Sequence, residues 1–325
     1  MLMAIGDFHL GCLSSYVPTL YKLQLRQLKN VLDFAVERDI EHVFMLGDVF
    51  DTPSPSNMLQ IALRRLLSNY PDLFIHIIIG NHDWESTEHH ALQMLHDYGA
   101  TKKFNFKVYT KPKVIRVDGV RLFICPHPYI MDAPSKKIDW CLGHFGWNNA
   151  VGDNGHRVAS DNSPRGRWLL GDFHPHQHGS RYVYCGSLTQ IKWDEQLPKG
   201  VVLFDQEDWE FKPFDTTYKL GTMKLESAED LSKLDESTLW SIEAINGYTL
   251  PADYKQKYHN IVHIRASKRR RDERAAVLLA NDESILHKPI RIVRDYLHGH
   301  RLDLTNREIK LGIHYAKRIL ASIAR

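Results

Sequence analysis

Cysteine is scarce in this chain and never paired. Cys12, Cys125, Cys141 and Cys185 are its only four, far apart and with no C-x-x-C spacing, which excludes a zinc ribbon or dithiol motif and assigns four reduced thiols to the interior. No apolar run approaches the roughly 20 residues of a membrane span, and Met1 to Gly11 lacks the basic start and long apolar stretch of a secretory leader. The expected location is the cytoplasm, with no membrane partner. A G-x-x-x-x-G-K-[ST] loop is absent, so any ATP dependence has to come from another chain. No G-x-S-x-G frame surrounds Ser187, which removes a serine nucleophile elbow. Internal repeats and long low-complexity segments are missing too.

What is present is ample core material: 325 residues, 43% of them hydrophobic, suit one large domain with one or two small ones. The net charge of +3 is unevenly placed. Residues 261–325 hold 15 Lys and Arg against 7 Asp and Glu, which leaves 27 against 32 in residues 1–260. Locally clustered cations of this kind are compatible with nucleic acid or an acidic partner, as well as with a solvated basic helix.

The opening half alternates strand and helix. Apolar runs at Leu2 to Ile5, Val43 to Leu46 and Phe74 to Ile79 read as buried strands. Helical stripes lie between and after them: Leu20 to Ala35, Leu59 to Leu67, and Ala91 to Tyr98 ended by Gly99. From Val108 the runs shorten and turn signals such as Asp118-Gly119 intervene, predicting a mostly β second half. A sheet-on-sheet sandwich flanked by helices, with ligands on loops at one edge, accommodates both halves. Beyond about Tyr218 the pattern changes again. A charged helix-like segment (Leu225 to Leu234) and short strands (Trp240 to Ile245, Ile261 to Arg265) read as a small appended domain. Lys268 to Arg274 then opens a charged stretch followed by two apolar helical stripes.

Each buried strand ends in a polar cluster: Asp7-Phe8-His9, Gly47-Asp48-Val49-Phe50-Asp51, Gly80-Asn81-His82-Asp83, Gly143-His144 and Gly171-Asp172-Phe173-His174. Residues i and i+2 of an extended chain point to one side, so Asp7 and His9 can grip one ion and Asp172 and His174 can face a common point. Ligands in such sheets gather beyond the strands' carboxyl ends. The expected arrangement is two divalent ions bridged by Asp48, one completed by Asp7, His9 and His174, the other by Asn81, His144 and Asp172. Imidazole, carboxylate and amide without thiolate favour manganese, iron or zinc over calcium. His82, next to Asn81, faces the other way and is free to protonate a leaving oxygen or stabilise a charged phosphorus centre. Asp83 is read as orienting that imidazole. Arg165 and Arg167 are candidates for phosphate contacts. Trp84, with Phe145, Trp147 and Trp168, offers either base stacking or core packing.

The ordered set D-x-H, G-D-x-x-D, G-N-H-[DE], G-H and a final G-x-x-H resembles the calcineurin-like metallophosphoesterases. Within them it is similar to the SbcD and Mre-type DNA-repair nucleases, on Gly47 to Asp51, Gly80 to Asp83, Tyr184-Cys185-Gly186-Ser187-Leu188 and Lys199-Gly200. The resemblance covers about residues 1–215. It implies an α/β fold, a four-layer αββα sandwich forming a nuclease domain over 1–215. It also implies a small α+β DNA-binding cap over 216–267 and, over 268–325, a basic linker with helices that bind an SbcC/Rad-type ATPase. Two divalent ions, Mn2+ with Mg2+ as the alternative, a DNA substrate, exonuclease action on duplex ends with endonuclease action on single strands, and a homodimer are further implications. One departure matters: where the family has G-H-x-H, Asp172 replaces the first imidazole. A carboxylate there hardens the site toward manganese or magnesium. His176 or His178 are the alternative ligands, in poorer register. The rival readings are a small-molecule phosphodiesterase or phosphoprotein phosphatase of the same fold, and a non-catalytic subunit that clamps DNA.

Overall fold

In the computed structural model the described residues are 1–265, apart from Thr87, 101–104, Asn154, Asp194, Gln196 and Gly247. The expected partner-binding segment 268–325 therefore lies outside them. The chain divides into two compact units, the larger comprising Met1–Met223, Ser227–Ile242 and Leu250–His263. The described part of the smaller is Lys224–Glu226, Glu243–Thr249 and the two residues after His263, and within it the Ile245 N–H donates to the Leu225 carbonyl.

The chain opens as the sequence pattern predicts, with β1 (Leu2–Ile5), α1 (Leu20–Glu37), β2 (His42–Leu46), α2 (Asn57–Leu67), β3 (Phe74–Ile78), α3 (Gln93–Ala100) and β4 (Phe106–Tyr109). α3 starts two residues later than its apolar stripe and runs through Gly99, whose missing Cβ lets the Phe106 carbonyl approach. There follow β5 (Lys113–Val117), β6 (Val120–Cys125), β7 (Trp140–His144), β8 (Trp168–Gly171), β9 (Gln177–His178), β10 (Tyr182–Tyr184), β11 (Lys199–Phe204) and β12 (Trp209–Phe214). β13 (Lys219–Leu225), α4 (Ala228–Leu231), β14 (Thr238–Ala244), α5 (Tyr254–Lys257) and β15 (Ile261–Arg265) complete the described chain. The charged segment expected as helix over Leu225 to Leu234 is thus a strand end and a single turn. β13, β14 and β15 pair in that order.

Two six-stranded sheets form the sandwich. One runs β12-β11-β1-β2-β3-β4 and the other β5-β6-β7-β8-β10-β9. β1 to β4 are mutually parallel, as are β6, β7, β8 and β10. Their carboxyl ends therefore share an edge in each sheet.

Alternation along β1 shows how one short run serves two layers. Met3 and Ile5 pack with Leu28, Val31 and Leu63 of the helices, while Leu2 and Ala4 pack with Leu122, Leu142 and Leu169 of the second sheet. Each such fully buried Leu or Ile contributes about 1.5–3 kcal/mol. The outer face of the second sheet is covered by Tyr129, Ile138, Phe145 and Trp147. Among the described residues this cover is irregular chain rather than helix. The four cysteines are free and buried, and no helix of the described residues is long and apolar enough to cross a membrane.

Candidate metal centre

Four of the five strand-end clusters line one cleft of about 330 Å³, through His9, Asp48, Asn81, His82, Asp172 and His174 among others, and the fifth brings buried His144 against Asp48. Asp7, Asp48, His9 and His144 are buried, and His82 is exposed. Three sets of donor atoms lie within 4.8 Å of one another: Asp7, His9 and His174; Asp7, Asp48 and His144; His9, Asp48 and His82.

The backbone makes this convergence possible. Phe8 and His9 both donate N–H to the Asp48 carbonyl, at 3.0 and 2.8 Å, which ties the first cluster to the second. Asp48 Oδ1 accepts the His82 N–H at 2.8 Å, tying the second to the third. Across the sandwich, His144 Nδ1 lies 2.7 Å from the Leu46 carbonyl, and the Asp172 N–H donates to Asp7 Oδ1 at 2.9 Å. His9, Asp48 and Asp172 all have positive φ, at 46°, 47° and 93°. Strained backbone concentrated on ligating residues is characteristic of sites that aim side chains at one point. Gly80 is needed for a different reason: a Cβ there would overlap the backbone N and Oδ1 of Asp48.

Asp48 sits in the middle. Its Oδ2 is 3.4 Å from His9 Nε2, and its Oδ1 is 3.3 Å from His144 Nε2, which in turn lies 2.8 Å from Asn81 Oδ1 and 4.0 Å from Asp172 Oδ1. Burial works against the Asp48 charge, but the facing His144, His9 and His82 hold its carboxyl below the ordinary range. Burial likewise opposes the His144 charge and is outweighed by Asp48, Asp7 and Asp172, which hold that imidazole well above its usual value. Asp172 is pushed up to about 6, by burial first and, against the pull of His144, by the other carboxylates.

The donor set fits divalent ions. Asp7 Oδ2 and His9 Nε2 are buried with no hydrogen-bond partner, an arrangement that costs stability unless something electropositive meets both. A cation can take the place of the proton that the carboxylates hold on His144. No thiolate competes: Cys12 is held protonated by burial and the Asp51 charge, its sulfur accepting from Gln24 Nε2.

Several residues gain or change roles. Asp83 does not reach the His82 ring. Its carboxylate accepts the N–H groups of Val49, Phe50 and Gly80 at 3.0 to 3.1 Å, and its buried side chain follows the chain inward after the exposed His82. The His82 ring is instead placed by Asp51, whose carbonyl lies 3.0 Å from Nδ1 while its carboxylate lies 3.2 Å from His9 Nδ1. Arg165 and Arg167 are away from the cleft. Both precede β8, at the opposite end of that strand from Asp172, about 13 Å for four residues. Arg165 pairs with Asp132, and Arg167 stacks 3.8 Å over Trp140 and donates to the Glu207 carbonyl. Trp84 packs against the helical core and edge-on to His127, and it is not among the residues lining the cleft. Phe145, Trp147 and Trp168 are core. His176 stacks on Phe211 with its Nδ1 2.8 Å from the Tyr184 carbonyl, the exposed His178 packs on Trp209, and neither lines the cleft, which leaves Asp172 as the ligand candidate.

Sequence reasoning missed three supports. Gln24, buried on the apolar stripe of α1, donates to the His9 carbonyl and accepts the Gly11 N–H, both at 3.0 Å. A polar residue on such a stripe was the available signal. Asp153 and Lys192, from two irregular segments, line the cleft beside His174, and no periodicity marks them.

A family model described as calcineurin-like phosphoesterase matches residues 2–199. No curated protein matches the chain. Similar solved structures include a protein of unknown function from Aquifex aeolicus, at 17% identity over 46% of this chain and 80% of that one, with a TM-score of 0.27. Another is Yfce, a phosphoesterase from E. coli, at 18% identity over 62% of this chain and 86% of that one, with a TM-score of 0.31.

Proposed function

Since the chain belongs to the calcineurin-like phosphoesterases, and so to the metal-dependent phosphoester hydrolases, we propose that it is a DNA nuclease subunit cleaving phosphodiester bonds. The reading includes exonuclease action on duplex ends and endonuclease action on single strands, in repair, recombination or replication. The observation that supports it is the segment Tyr184 to Leu188, the stretch that resembles SbcD and Mre-type nucleases. It braces the metal-bearing loops: Ser187 donates its N–H to the His174 carbonyl, and Leu188 to that of Asp7, each at 3.0 Å. Gly186, at φ 78°, has room for no Cβ beside the backbone of His174 and His176.

Asp7, His9 and His174 would hold one ion, Asn81, His144 and Asp172 the other, with Asp48 between them. Two divalent ions there supply Lewis acidity toward the phosphoryl oxygens and an activated water at neutral pH. The chain's own contribution is His82: with Nδ1–H held by the Asp51 carbonyl, the imidazolium form has its other N–H free to pass a proton to the leaving oxygen of a phosphodiester. Manganese is the proposed metal, since Asp172 adds a hard oxygen donor. An SbcC/Rad-type ATPase bound through 268–325, DNA contacts from 216–267 and a homodimer complete the proposal.

The test is cleavage of end-labelled duplex DNA by the purified chain with manganese, magnesium or zinc, with and without a co-encoded ATPase, alongside Asp48→Ala. Metal-dependent nucleotide release that vanishes in the variant supports the reading. Hydrolysis of bis-p-nitrophenyl phosphate without DNA cleavage under any condition would replace it with a small-molecule phosphodiesterase.

A further inference from the structure

Four carboxylates line the cleft, those of Asp48, Asp51, Asp153 and Asp172, and Lys192 is the one Lys or Arg among its described lining residues. A nucleic-acid strand brings further phosphates beside the scissile one, and each needs a cationic partner to approach walls of that sign. The arginines expected to serve lie at the far end of β8.

Lys192 is mounted for this task. Its Nζ pairs with Asp153 Oδ2, and its side chain remains half exposed. Asp153 is itself fixed on His174: Oδ1 accepts the His174 N–H at 3.0 Å, and Oδ2 lies 2.9 Å from His174 Nδ1. The loop carrying Lys192 is anchored independently. Ile191 donates its N–H to Glu195 Oε2 at 2.9 Å, and Glu195 Oε1 pairs with Lys199, a buried lysine on β11 that also donates to Ser187.

Lys192 is linked to the candidate ligands through Asp153. The rings of His82 and His174 both lie edge-on to His9, with centroids 4.8 and 5.2 Å away, and Lys192 is reached from His174 through Asp153. Resting on the nuclease reading above, we propose that Lys192 binds the flanking phosphate of a DNA strand and that Asp153 is a positioning residue for both Lys192 and His174.

Steady-state kinetics of the full chain with manganese, on a DNA oligonucleotide and on bis-p-nitrophenyl phosphate, test this. Lys192→Ala should raise KM for DNA about tenfold with kcat within about twofold, while turnover of the small diester, which has no flanking phosphate, falls less than about threefold. The slope of log KM against log salt should drop by about 0.7 to 0.9, and Lys192→Arg should restore both values. Asp153→Asn should weaken manganese binding to the apoprotein about tenfold by calorimetry. Equal losses on both substrates with an unchanged salt slope would make the lysine a scaffold and overturn its assignment. Unchanged manganese affinity would overturn the role of Asp153. A wild-type chain that hydrolyses the small diester but no DNA would end the nuclease reading, and this inference with it.

Discussion

Asp83 holds Asp48 from behind: its buried carboxylate accepts the N–H of Val49 at 3.1 Å, the residue directly after Asp48, along with those of Phe50 and Gly80. Burial and the Asp48 charge push the Asp83 carboxyl up, against the pull of those three N–H groups. Asp83→Asn turns an amide N–H toward at least one donor, at about 1–3 kcal/mol for each N–H left without an acceptor. The expected outcome is a lower melting temperature and weaker metal binding, with the pH profile of kcat unchanged. A shifted profile with normal stability would return Asp83 to the chemistry.

His82 is exposed and held through one ring nitrogen. His82→Ala should lower kcat by about 10²–10⁴-fold while metal content, measured by elemental analysis, stays at the wild-type value. Full turnover in this variant would remove His82 from the mechanism.

Asp172 occupies the place where the family has histidine, and its φ of 93° is one that Asp tolerates better than most side chains. Asp172→His should move the ratio of zinc to manganese affinity toward zinc by about tenfold or more, read by competition calorimetry. An unchanged ratio would mean that residue 172 does not reach an ion.

Stability in acid should carry the signature of His76. Burial first, then His42 and Lys107, push this imidazole down to about 3, where it packs on Phe44 and lies 2.9 Å from the Tyr109 hydroxyl. The folded state therefore refuses a proton that the unfolded chain accepts near pH 6.5. The contribution is complete above pH 6.5 and is lost as pH falls toward 3, at up to about 1.4 kcal/mol per pH unit. Urea midpoints between pH 7 and 4 should fall less steeply in His76→Phe than in the wild type; equal slopes would assign the acid limb elsewhere.

Much of the centre is legible in the sequence because parallel strands put their carboxyl ends on one edge. Asp48, Asn81 and His174 follow buried runs and line the cleft, and Asp7 and His144, at the ends of two more, group their donor atoms with Asp48. The same rule, applied in reverse, disposes of Arg167. It immediately precedes β8, which runs parallel to β7, so it had to sit beside Trp140 at the start of that strand rather than beside His144 at its end. The role of Asp83 is not legible, because adjacency to His82 in sequence says nothing about which way a buried carboxylate turns in a tight loop. Asp153 and Lys192 come from irregular segments, where neither period 2 nor period 3.6 constrains which side chains meet.

The two sheets differ in how the chain builds them. The first collects β1 to β4 and then β11 and β12, whereas the second, β5 to β10, is one uninterrupted stretch inserted between them. Asp7, His9, Asp48 and Asn81 follow strands of the first; His144, Asp172 and His174 belong to the second. Neither sheet alone owns a full set of ligands. The first sheet alone brings together only the His9, Asp48 and His82 donors, whereas both groups that take in Asp7 need His144 or His174 from the second; on this assignment cation capture would act as a proofreading signal for assembly, tightest in the molecule whose halves have already met.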